Sequence, residues 1–175
     1  MLDNDQSNYL LQELQNYLEM LETPREEYEG LPTCPFLKKE RINNKLMIDI
    51  FDNNKDSFLD KMEMFASSDY TDAVFAQQID NNISTKDSKD YQSFLNLVIS
   101  DNFEQYKIIV INPNDSFSVK GYKPRSLAPC VLILVTERKK LLEAHNKILN
   151  SKYFTNFEDD YLNHLLVKKE DLNLK

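Results

Sequence analysis

Cys34 lies between Pro32 and Pro35 in the stretch LPTCPFLKKER, residues 31–41. A thiol becomes a nucleophile when nearby cations or a helix N-terminus lower its pKa. Lys38, Lys39 and Arg41 follow closely and could supply that positive potential. A cysteine nucleophile also wants a base, and the two histidines, His145 and His164, both fall in predicted helices. Cys34 is the candidate catalytic residue on these grounds. The competing reading, a small buried hydrophobe in a proline-stiffened segment, is the favoured one. Cys130 follows Pro129 and opens an apolar run, so a buried structural role is expected there too. If the strands after the two cysteines pair in parallel, the thiols become neighbours.

Anion binding is the second chemistry the residues could do. Lys120, Lys123, Arg125, Arg138, Lys139 and Lys140 crowd into residues 120–140 against Glu137 alone. They bracket a strand-like run of roughly 20 Å, so one compact site requires the loop to fold back. Lys123 and Arg125 would then meet Lys38, Lys39 and Arg41. That set would suit a phosphate or carboxylate, with arginine giving a two-pronged contact. An ordinary solvated surface is the competing and favoured account. Two cysteines and two histidines at these spacings make no zinc ligand set, and no metal or cofactor is expected. The Gly-x-x-x-x-Gly-Lys phosphate loop is absent.

These residues need a scaffold, and 175 residues with net charge −8 suit one domain, 1–175. No apolar run reaches the ~18 residues of a membrane span, and the polar start MLDNDQSNYL is not a secretory signal. Two distant cysteines suit a reducing, cytoplasmic location. The 17 lysines against 4 arginines and the 18 asparagines suggest an AT-rich bacterial or phage genome. Charge is uneven: residues 1–30 carry eight acids and one base. The acidic first segment is a candidate surface for a protein partner. A pI near 4.8 argues against nucleic acid.

Leu10, Leu14, Tyr17, Leu18 and Leu21 repeat at helical spacing, capped by Ser7 and stopped by Pro24, giving an acidic N-terminal helix within 1–23. Residues 26–45 read as irregular. Residues 45–52, KLMIDIFD, alternate as a strand with one buried face. Three short helices are expected next. Asp56 or Ser57 caps the first, with Phe58, Met62 and Phe65; Thr71 caps the second, with Val74, Phe75 and Ile79. Asp87 caps the third, with Tyr91, Phe94, Leu95 and Val98. YKIIVINP (106–113) reads as a strand buried on both faces. An edge strand around Phe117–Val119 and the strand CVLILV (130–135) follow. Thr136 then caps a helix carrying Leu141, Leu142, His145, Ile148 and Leu149. A last helix is expected from Asn156, with Phe157, Tyr161, Leu162 and Leu165, and the tail 168–175 frays. The fold class is α+β: a small, mainly apolar sheet of about three to five strands covered by helices in two or three layers.

In this order CPFLKKERINNKLMIDIF, YKIIVINP and RSLAPCVLILVTER resemble a group of uncharacterised bacterial domains that open with Cys-Pro-Phe. The matches cover about a third of the chain. That group has no known function, so the resemblance implies no activity. With no catalytic constellation standing out, the expectation is a small binding or protein-interaction module. The alternative is a small enzyme or ligand-binding domain with an anion pocket near Cys34.

Overall fold

The structure, a computed structural model, describes residues 4–26, 30, 32–34, 37–52, 57–77, 84–114 and 128–148. Among them the elements run α1 (Asn4–Glu22), α2 (Leu37–Ile42), β1 (Leu46–Phe51), α3 (Phe58–Ala66), β2 (Asp72–Gln77), α4 (Thr85–Val98), β3 (Tyr106–Ile111), β4 (Val131–Glu137) and α5 (Arg138–Ile148). The strands form one mixed sheet in the order β1-β2-β4-β3. β1 and β2 are parallel, and β4 runs antiparallel between β2 and β3. This is a small α+β fold, as the residue pattern leads one to expect. No helix among the described residues is long and apolar enough to cross a membrane.

Strand side chains alternate between faces, and helices cover both. On one face Phe51, Phe75, Ile108, Val110, Val131 and Ile133 pack with Phe58, Met62 and Phe65 of α3 and Leu95 of α4. On the other, Val74, Ala76 and Leu132 pack with Leu14, Tyr17 and Leu18 of α1. Three layers result.

The segment expected as a helix after Thr71 is instead the inner strand β2. Its run Ala73-Val74-Phe75-Ala76 is buried on both faces. Double burial erases the alternation that marks a half-buried strand, and alanine favours helix when read locally. Residues 37–42, expected as irregular, form α2. β1 does not have one buried face: Leu46–Ile50 are all half-buried and only Phe51 is fully buried, because β1 is an edge strand between two helical layers.

The helix starts differ from expectation at α1, α4 and α5 but not at α3. α1 begins at Asn4, before Ser7. Ser57 is the N-cap residue of α3, without a side-chain capping bond. Ser84, not Asp87, caps α4; its Oγ accepts the Asp87 N–H at 3.2 Å and donates to the Asp87 carboxylate at 2.6 Å. Thr136 caps nothing, because it stays in β4 paired with Lys107 and α5 follows the strand directly. Phe94 on α4 and Leu142 on α5 are exposed rather than in the core. The strand expected near Phe117–Val119, the helix from Asn156 and the tail lie outside the described residues.

With glycine so scarce, the turn from α2 into β1 uses asparagine. Asn44 holds φ 54°. Lys45 N–H donates to Glu40 O at 2.8 Å, and Asn44 N–H to Arg41 O at 3.1 Å. This is a Schellman closure with asparagine in the left-handed position. It fixes Arg41, Asn44 and Leu46 around one corner of the sheet.

Candidate functional site

Cys34 is half-buried. Its N–H donates to Leu21 O at 3.0 Å, and its carbonyl accepts the Leu37 N–H at 3.4 Å. The segment between the prolines thereby splices the end of α1 to the start of α2. Cys130 is buried among the α1-facing residues. Burial pushes its thiol up to about 11, despite a backbone hydrogen bond at Gln77 that pulls the other way. A thiol there is protonated at neutral pH and is a poor nucleophile. Neither cysteine forms a disulfide. Among the described residues no group of His, Cys, Asp and Glu could hold a metal ion.

The basic residues go to separate tasks. Lys38 and Lys39 are exposed on α2. Arg41 turns its fork onto Glu22 of α1, with Nε at 2.8 Å and Nη2 at 2.9 Å from the two carboxylate oxygens. That carboxylate is only 6% exposed, and a buried carboxylate needs such a partner. Its hydrogen bond raises the Arg41 pKa further above the ordinary value, outweighing the opposing effect of burial. Arg138 Nε donates to Glu104 O at 2.7 Å, at the start of α5. Lys120, Lys123 and Arg125 lie outside the described residues, so the meeting of Lys123 and Arg125 with Lys38, Lys39 and Arg41 does not come into view. The side chain of His145, and all of His164, are likewise outside them.

Lys140 is central to a small ionic cluster. Its Nζ lies 2.9 Å from Glu40 Oε2 and 2.8 Å from Thr71 Oγ1, and it also bonds the Asp72 carboxylate. The Thr71 hydroxyl reaches the same two carboxylates at 3.1 and 3.2 Å. Burial pushes the Glu40 carboxyl up, but the Lys140 hydrogen bond and charge, with Thr71 and Lys39, outweigh it and hold the pKa below the ordinary value. The Lys140 ammonium is thus shared by two carboxylates and the Thr71 hydroxyl. The cluster ties α2, the start of β2 and α5 together.

An open cleft of about 370 Å³ lies beside this corner. Leu46 and Ile48 of β1 form its apolar floor; Gln15 and Glu19 of α1 form one wall. Arg41, Asn44 and Tyr70 close the remaining sides. Glu19 is 63% exposed and stands 3.8 Å from Arg41, whose fork is already held by Glu22. Only Leu46 and Ile48 of this lining are aliphatic, so the cleft is more polar than a typical small-molecule pocket. Of these residues only Arg41 carries a signal readable in the sequence, as part of the basic cluster. Gln15, Glu19 and Tyr70 look like surface positions until α1 is laid across β1.

The two edges of the sheet differ. At β3, Asn96 of α4 donates to Ile108 O at 2.9 Å and accepts the Ile108 N–H at 3.1 Å. Gln92 accepts the Val110 N–H at 2.8 Å. Side-chain amides thus occupy the edge where another strand would pair. At β1 no such cover exists among the described residues over Leu46–Ile48. The chain matches no protein-family model, no curated protein and no solved structure.

Proposed function

We propose that this protein is a binding module whose recognition surface is the cleft between α1 and the β1 edge. The cleft itself carries this reading: an apolar floor, an exposed carboxylate, two amides and a tyrosine converge beside a strand edge with which no described residue pairs. The acidic character of residues 1–30, expected as a partner surface, is consistent with it, since α1 supplies the Glu19 wall. Cys130, buried and protonated, and Lys140, held by two carboxylates, support no reaction. Among the described residues, an anion pocket would have to be built on Lys38 and Lys39 without Arg41, whose fork is engaged.

Shift mapping of the ¹⁵N-labelled protein against a small-molecule fragment set tests the reading. Perturbations are expected to gather on the amides of Gln15, Glu19, Asn44, Leu46, Ile48 and Tyr70. Perturbations gathered around Lys38 and Lys39 alone, or spread without a focus, would overturn it.

A further inference from the structure

Resting on that reading, we infer that the cleft receives an extended segment of a partner protein, which adds to β1 as a fifth strand and places a lysine or arginine side chain in the cleft. The phase of the β1–β2 ladder is set at its start, where Thr71 and Asp72 N–H both donate to Lys45 O at 2.9 and 3.2 Å. In a parallel ladder, alternate residues bond to the neighbour. Odd-numbered residues of β1 therefore face β2, and Leu46, Ile48 and Ile50 turn their N–H and C=O groups outward. The Ile50 N–H agrees: it donates to its neighbouring Asp49 carboxylate at 2.8 Å, and Lys61 holds that carboxylate at 2.7 Å.

This plug closes one end of the edge; among the described residues nothing pairs with Leu46–Ile48 there, a stretch of about 10 Å at strand rise. The same even-numbered residues point their side chains to the α1 face, and two of them floor the cleft. A strand added here has its alternate side chains on that face too. Main-chain pairing and the side-chain pocket are therefore in register for one ligand.

The charge selects the side chain. Arg41 is held by Glu22 at 2.8 Å and lies 3.8 Å from Glu19, so the three side chains together leave one net negative charge at the cleft, on its exposed member Glu19. A lysine or arginine would lay its aliphatic stem on Leu46 and Ile48. Its head would reach Glu19 and the face of Tyr70, which is partly exposed. A second copy of this chain is disfavoured at the same edge, because it would bring another acidic α1 beside the first.

The test is selection of a displayed random peptide library on the full-length protein. Enriched peptides are then synthesised with and without N-methyl groups on alternate backbone amides. The expected peptides lack proline and carry lysine or arginine at one fixed position among β-branched residues. Methylation of the edge-facing amides should weaken binding about tenfold or more, as loss of main-chain pairing requires. Methylation of the opposite amides should not. Glu19→Gln should weaken binding roughly fivefold to tenfold. Ile48→Pro, which removes an outward N–H together with part of the cleft floor, should abolish it.

Absence of enrichment, enrichment without a basic residue, or indifference to N-methylation would each overturn the inference. So would a concentration-dependent dimer abolished by Ile48→Pro, which would assign the edge to a second copy. If fragments map to the cleft while peptides fail, only the strand-addition inference falls. If fragments also miss the cleft, the binding-module reading falls with it.

Discussion

Replacing Arg41 with alanine strips both donors from the Glu22 carboxylate, which is 6% exposed. Breaking a fully buried ion pair from one side costs roughly 3–5 kcal/mol, whereas an exposed pair is worth up to about 1 kcal/mol. Glu22 belongs to the first class and Arg41, 41% exposed, to the second. Water reaching the vacated site rehydrates Glu22 in part, so the expected loss is about 2 kcal/mol, between the two limits. For a chain of this size that lowers Tm by roughly 4–8 °C. Urea denaturation of both proteins measures it.

Arg41→Lys should recover only part of the loss, because a point charge cannot span both carboxylate oxygens. Adding Glu22→Gln to Arg41→Ala should recover about 1 kcal/mol, because most of the damage is an unpaired buried charge rather than a lost contact. A stability of Arg41→Ala within about 0.5 kcal/mol of the parent would refute this account of Arg41. It would also return the arginine to the pool of residues free to bind an anion.

Three further outcomes are expected. Glu40 has its pKa held below the ordinary value of 4.5 in the folded protein. The unfolded chain therefore binds its proton first, and the stability from this contact is full above about pH 4.5 and lost as pH falls through the lower folded value. Urea midpoints down the acid limb should fall less steeply in Glu40→Gln; an unchanged slope would contradict the cluster's role. Asn96→Ala should cost about 1–3 kcal/mol through the two bonds it makes to Ile108, and should leave a β3 edge that self-associates in sedimentation runs. A monomer of parental stability would contradict that. Iodoacetamide at neutral pH should label Cys34 well before Cys130, whose thiol is pushed to about 11 and buried; equal labelling rates would show that the α1 layer opens readily.

How much could be read from the residues follows from where each element sits. α1, α3, β3 and β4 keep a clear period or a long apolar run, and the sequence shows them. β2 does not, because a strand covered on both faces by helices loses its alternation, and Ala73 and Ala76 look helical. α2 was hidden by the prolines before it. Its end is legible only afterwards, as an Asn-Asn pair ahead of a strand with Asn44 in the left-handed position that glycine usually takes. At the cleft, Arg41 was visible as a charge but not as the partner of Glu22, nineteen residues away in sequence. Glu19 and Tyr70 meet only through the crossing of α1 over the sheet edge, which no local pattern encodes.

The central claim is that the cleft at the β1 edge is where this protein meets its partner. A photo-crosslinking amino acid at position 70, in place of Tyr70, in the organism that carries the protein tests it most directly. The same probe in place of Phe94, exposed on the opposite helical layer, serves as the control. A discrete adduct from position 70, lost with Glu19→Gln and not formed from position 94, is the predicted result. Adducts from position 94 alone, or equal adducts from both, would contradict the claim.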